Sequence, residues 1–179
     1  MRKTYVLVLL FVCSSLVSLG QTGKYDIGIR LQHTVNFYRE NGIAIQHSNP
    51  KWKYDQLYFG VHYVSSRLGT AFGSSNAIKQ DNLLLSAAYF LRKDKIIRPY
   101  FRLNTGLFWA DYESELFDVL DHQSFLCSTE IGVGIGTPWK VKLMSSLGYN
   151  LLTGDGVNGP GTLYPVFLQT TMAWTFDIN

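Results

Sequence analysis

The chain has 179 residues, 16 basic and 13 acidic, with a formal net charge of +3. That length bounds it to one domain and little more. The near balance of charge excludes nucleic acid as its main partner.

Residues 1 to 20 read as a signal peptide. Arg2 and Lys3 give a positive start, and Tyr5 to Val12 a short apolar core. Ser18 and Gly20 are the small residues wanted before a cut at Gln21. The apolar run is too short for a spanning helix with flanks. Leu10, Phe11 and Val12 precede Cys13, where a lipobox needs a small residue, so no lipid anchor is expected there. Cleavage leaves residues 21–179 as one domain, with 14 basic residues against 13 acidic. Cys127 is then the sole cysteine and forms no internal disulfide, although an exported compartment permits one. No later apolar run approaches the ~20 residues of a transmembrane helix, so any membrane insertion must use strands.

The segment 24–38 alternates almost without fault. Tyr25, Ile27, Ile29, Leu31, Val35 and Phe37 fall on one face, and Asp26, Gly28, Arg30, Gln32, Thr34 and Asn36 on the other. Successive side chains of a strand point to opposite sides. A short second strand, 42–48, follows Asn41-Gly42, a dipeptide that predicts a hairpin turn. The pattern recurs over 52–64, 82–92, 98–110, 124–136, 140–152 and 165–177. In 98–110, Phe101, Leu103, Leu107 and Trp109 oppose Tyr100, Arg102, Asn104 and Gly106. In 124–136, Phe125, Cys127, Ile131, Val133 and Ile135 oppose Ser128, Glu130, Gly132, Gly134 and Gly136. A lipid-facing reading of the apolar side makes a serine at Gly132 a mild change.

The connections alternate in length. Segments 49–51, 93–97 and 137–139 are short, whereas 67–81, 111–123 and 153–164 are long. Membrane barrels show this asymmetry, with short periplasmic turns and long outer loops. An even strand number puts both ends of the barrel chain on the periplasmic side. Soluble eight-stranded barrels such as lipocalins invert the pattern and put apolar residues inside. Aromatics gather near strand ends: Tyr25, Trp52, Tyr54, Trp109, Tyr112, Trp139, Tyr149, Tyr164, Trp174 and Phe176. These form the two interfacial girdles expected of a membrane barrel. The expected fold is all-β, an eight-stranded antiparallel up-and-down transmembrane β-barrel behind a cleaved signal peptide.

The leader, the eight alternating strands, the loop asymmetry and the aromatic last strand (Thr171 to Phe176) resemble the small outer-membrane barrels of Gram-negative bacteria. OmpX, OmpW and the membrane domain of OmpA are familiar types. The style rich in Tyr, Asn and Gly is most similar to barrels of the Bacteroidota. The resemblance implies residence in the bacterial outer membrane. It also implies contact with outer-membrane lipid and lipopolysaccharide, and insertion by the barrel-assembly machinery.

Four constellations could carry chemistry. Gly154, Gly156 and Gly159 match a dinucleotide-binding spacing, but no βαβ unit surrounds them, and that reading needs one. His47-Ser48-Asn49 resembles the His-x-Ser-Asn of outer-membrane lipid A deacylases. Acyl transfer there would need Ser48 as nucleophile, His47 as base and a carboxylate such as Glu130 as orienter. Adjacent strand residues point apart, which speaks against it. Asp111, Glu113, Glu115, Asp118 and Asp121 crowd one outer loop and could bind cations. Arg102 and Glu130 project to the polar face of neighbouring strands, with Arg30, Lys142 and Asp26 on that same face. An eight-stranded barrel is just filled by side chains, and buried charges must be paired. A lumen ion pair of Arg102 and Glu130 is therefore expected, with the two offset by one diagonal step about a hairpin centred near Phe117. No cofactor, metal site or catalytic residue is expected. The function read here is a structural or surface-binding barrel acting through its outer loops, whose ligand the sequence leaves open. A lipid A-modifying enzyme and a soluble lipocalin-like binder of a small apolar ligand are the alternatives.

Overall fold

The computed structural model describes residues 23–34, 39–49, 55–66, 78–92, 95–112, 122–152 and 165–178. Eight strands follow in order: β1 (Gly23–Thr34), β2 (Arg39–Ser48), β3 (Leu57–Ser65), β4 (Ile78–Phe90), β5 (Ile97–Tyr112), β6 (Gln123–Gly136), β7 (Val141–Leu152) and β8 (Val166–Ile178). Each pairs antiparallel with its chain neighbours, and β1 pairs with β8, so the sheet closes. Closure leaves no unpaired edge. That condition must hold in hydrocarbon, where no water satisfies a free N–H or C=O.

The connections 49–56, 91–96 and 137–140 lie at the end that holds Gly23 and Ile178, the turn end. The strand ends joined through the longer 66–77, 113–122 and 153–165, and through the short 35–38, lie at the opposite, loop end.

Alternation sorts the two walls. Leu103 is 47% exposed and its neighbour Arg102 is 0% exposed. Ile29, Ile43, Val61, Leu85, Ile131, Leu147 and Leu168 carry the outward apolar band around the other seven strands. Such a band in water would be an aggregation surface; against lipid tails it matches its solvent. The soluble lipocalin-like alternative is thereby overturned, because its apolar wall would have to face inward. Tyr25, Trp139, Trp174 and Phe176 flank the band at the turn end, with Trp109 and Tyr149 towards the loop end. Trp52, Tyr54, Tyr164 and the side chain of Tyr112 lie outside the described residues.

The structure corrects two glycine readings. Asn41-Gly42 is not a turn. Both residues sit inside β2, with Asn41 opposite Leu31 and Gly42 opposite Arg30. Residues 35–38, which join β1 to β2, lie outside the described residues. Gly42 is needed for close approach, since a Cβ there would lie 1.9 Å from the Tyr63 carbonyl oxygen of β3. Gly132 is likewise not a tolerant position. A Cβ would lie 2.4 Å from the Ser145 carbonyl oxygen and 2.7 Å from Tyr100 Cζ. Gly132→Ser must therefore push β6 from β7 or displace a packed ring, and loss of stability replaces the mild effect expected from pattern alone.

Among the described residues, each turn-end connection holds one non-glycine residue with positive φ: Asp55 (64°), Arg92 (54°) and Lys140 (59°). Asp55 is further tied by its side chain. It accepts from Lys24 Nζ (3.0 Å), Ser48 Oγ (3.0 Å) and Tyr58 OH (3.3 Å). Burial pushes its carboxyl up. The Lys24 hydrogen bond and charge, the Ser48 hydroxyl and the Lys142 charge outweigh burial and hold it below the ordinary aspartate value. A carboxylate lowered in this way stabilises the fold above its unfolded pKa, and the contribution fades as pH falls through the folded one. Asp55→Asn keeps a residue tolerant of positive φ and removes only the charge. The variant should therefore unfold at lower urea than the parent at pH 7 and approach it at pH 3. An unchanged gap between the two pH values would show that the charge contributes nothing.

Candidate functional site

The lumen is polar at mid-height and centres on Glu130 of β6, which is wholly buried. The β5–β6 register sets Arg102 directly opposite Glu130, not one diagonal step away, because the hairpin centres on Leu116 rather than Phe117. Arg102 Nη1 lies 3.0 Å from Glu130 Oε2. Arg30, reaching across the lumen from β1, lies 2.8 Å from Oε1. Asn104 Nδ2 (2.8 Å) and Ser146 Oγ (2.9 Å) also donate to the carboxylate. Gln169, with its amide nitrogen turned to the carboxylate, donates to Oε2 at 2.9 Å and to Ser146 Oγ at 2.7 Å. Five donors from β1, β5, β7 and β8 thus converge on one carboxylate.

The two guanidinium groups are held as firmly as their shared anion. Arg30 also donates to Gln32 Oε1 (2.9 Å) and meets His62 Nδ1 at 2.7 Å. Arginine can only donate, so Nδ1 accepts and the ring proton sits on Nε2, 3.2 Å from Ser86 Oγ. The Arg102 guanidinium lies 5.0 Å over the Tyr100 ring, and Arg30 lies 5.8 Å over Phe167. Glu40 is held separately, by Gln32 and Asn82. Lys142, on the same inner wall, pairs with Asp26 (2.7 Å) and not with Glu130.

Apolar side chains close the belt on both sides. Leu84, Phe108, Ala110 and Leu126 pack towards the loop end. Tyr58, Ala88, Phe90, Tyr100, Met144 and Ala173 pack towards the turn end. Between Arg30, Gln32, Asn82, Ser128 and Phe167 the packing leaves no void that holds a water. Fixed, paired charges fill the described interior at this height, whereas conduction needs sites that bind weakly enough to release.

The esterase constellation does not assemble. Ser48 faces the lumen and donates to Asp55. His47 faces outward, its ring centroid 4.4 Å from that of Tyr25. Glu130 is spent on two arginines. Among the candidate cation-binding residues, Asp111 is exposed near the end of β5, opposite Lys79. Glu113, Glu115, Asp118 and Asp121 lie outside the described residues. Among the described residues no group of three or more His, Cys, Asp or Glu could hold a metal ion.

Cys127 shares the outward face of β6 with Phe125 and Ile131, between Thr105 and Leu151. Thiol labelling needs an accessible thiolate. A charged maleimide should leave Cys127 unmodified in the folded barrel in lipid and modify it once urea unfolds the protein. Rapid labelling before unfolding would contradict this placement.

No protein-family model matches the chain, and no curated protein sequence matches it. Solved structures do. The N-terminal β-barrel domain of Pseudomonas aeruginosa OprF superposes with a TM-score of 0.62 at 12% identity, covering 86% of this chain and 99% of that one. Outer membrane protein H (OprH) of P. aeruginosa gives 0.56 at 14% identity over 86% and 99%. Neisserial surface protein A gives 0.52 at 16% identity over 86% and 94%. The chain has the fold of a small bacterial outer-membrane barrel. Identities this low carry the shared architecture and nothing of the ligands.

Proposed function

We propose that this protein is an integral outer-membrane barrel that neither catalyses a reaction nor conducts, and that serves a structural or surface-binding role through its outer loops. The observation that carries this reading is the lumen: five donors on Glu130, closed by apolar clusters on both sides, behind an outward apolar band. Outer-membrane phospholipid and lipopolysaccharide are the proposed contacts of the band, and the barrel-assembly machinery the route of insertion. The acidic run from Asp111 to Asp121 is the segment proposed to meet divalent cations at the surface. The lipid A-modifying alternative lacks its Ser-His pair, because Ser48 and His47 point to opposite sides of the wall.

Four measurements test the proposal. The protein should fractionate with the sarkosyl-insoluble outer membrane and migrate differently on gels before and after boiling. Purified barrel in planar bilayers should show no steady conductance. Mass spectrometry of lipid A from a deletion strain should show parental acylation. Steady single-channel current would remove the closed-lumen reading, and a changed acyl pattern would restore the enzymatic one.

A further inference from the structure

The turn-end mouth of the lumen holds a recess of about 330 Å³ that opens outward from the barrel. That is the size of a small-ligand site. Its walls are mainly apolar: Tyr58, Phe90, Met144, Ile96 and Ile135. Two cations enter it besides Lys142, namely Arg98 and Lys95.

Among the described residues, the charges of this region do not balance. Asp26 holds Lys142, and Asp55 holds Lys24. Arg98 and Lys95 have no carboxylate partner among the described residues. Arg98 is nonetheless fixed. Its Nη2 donates to the Asp55 carbonyl oxygen (2.9 Å), and its guanidinium lies 5.2 Å over the Phe90 ring. Its Nε is buried with no hydrogen-bond partner. A guanidinium held on an aromatic ring with donors unspent is suited to a carboxylate or phosphate. The adjoining apolar floor is suited to a flat or narrow hydrocarbon body. Gly136, at the rim, leaves the entrance open, because a Cβ there would meet nothing within 4 Å.

We infer that this recess binds a small soluble amphiphilic anion, a carboxylate or phosphate head on Arg98 with its apolar body against Phe90 and Met144. A soluble ligand is preferred to a lipid headgroup because Tyr58, Phe90, Lys142 and Met144 line the recess from the inner wall, whereas leaflet lipid packs outside it.

The probe is 4-phenylbutanoate, titrated calorimetrically into the folded barrel in phosphatidylcholine nanodiscs with empty discs as blank. One saturable site is expected. The neutral twin 4-phenylbutanol should bind at least about tenfold more weakly, as loss of a hydrogen bond to a charged group implies, and Arg98→Gln should weaken the anion similarly. Gly136→Leu, whose Cβ meets no atom within 4 Å, should melt like the parent and lose the probe. That variant keeps the test decisive should Arg98→Gln fold poorly. Absence of a saturable heat, equal affinity for the alcohol, or undiminished binding by Gly136→Leu would overturn the assignment. Loss of the heat when phosphatidylglycerol replaces part of the phosphatidylcholine would place a lipid headgroup in the recess and overturn the soluble ligand.

Discussion

Glu130→Gln should be the most destabilising single change in the lumen, by roughly 3–5 kcal/mol in urea unfolding of the barrel in lipid. The carboxylate neutralises two buried guanidinium groups, Arg30 and Arg102. Neither can lose its charge by deprotonation, so the amide leaves two cations facing each other across the lumen. Arg102→Met should cost less, because Glu130 keeps Arg30, Asn104 and Ser146. The double variant Arg102→Met/Glu130→Gln should fall short of the summed single losses, since it leaves only one orphaned cation. A double-mutant cycle reads this directly. Additive losses would mean that the pair contributes nothing beyond its separate contacts and would remove Glu130 as the organising group.

Leu103→Arg should lower bilayer stability by about 2–4 kcal/mol, the range for a cation near the midplane on the lipid face, and Val133→Arg by less, because the cost falls towards the interface. Both positions face outward, 47% and 40% exposed, Leu103 near the middle of β5 and Val133 three residues from the turn end of β6. The same substitutions in detergent micelles should be milder, because micelles let an arginine head reach water more easily. Normal assembly of Leu103→Arg in lipid alongside lethal loss from inward polar changes would reverse the assignment of the two walls. Gly132→Ser belongs in the same series for the opposite reason. It faces the lumen, yet it should also destabilise, through the Ser145 backbone and the Tyr100 ring rather than through lipid.

Much of the architecture was legible because alternation has a period of two and each strand keeps it. Most of the strand segments, their outward residues and the facing of Arg102 and Glu130 follow from that period and from hairpin connectivity, although β4 begins at Ile78, inside the expected 67–81 loop, and β3 begins only at Leu57, after a turn at 55–56 inside the expected 52–64 strand. Where the readings failed, the missing information was non-local. Asn41-Gly42 has the composition of a turn, but the closeness of β3 to Gly42 is a property of the assembled sheet. The register of β5 on β6 differs from the expected one by a single step of the hairpin centre, within a segment whose composition does not mark its midpoint. Arg30 as a second partner of Glu130 was not legible, because which residues meet across a lumen depends on the stagger of the closed barrel. The inward Phe108, Leu126, Met144 and Phe167 were hidden by their chemistry. They sit on the face that otherwise carries polar groups, so alternation alone reads them as irregularities rather than as the closing layers of the interior.

The bond between Arg30 and Glu130 also bears on the order of events in assembly. It joins residues 100 positions apart on β1 and β6, strands that are not neighbours in the sheet. Neighbouring hairpins can zip while the sheet is still open. A contact across the diameter can form only once the sheet has curled and its first and last strands are about to meet. Until then Arg30 needs water for its charge, and an open sheet that entered hydrocarbon early would carry that arginine unneutralised, although Arg102 already meets Glu130 within the β5–β6 hairpin. The carboxylate therefore acts late, as a latch that rewards ring closure over partial insertion. Variants at Glu130 should accumulate as open intermediates that lack the heat-modifiable compact band on a folding gel, while variants of the outward wall should stall before the strands enter the membrane at all.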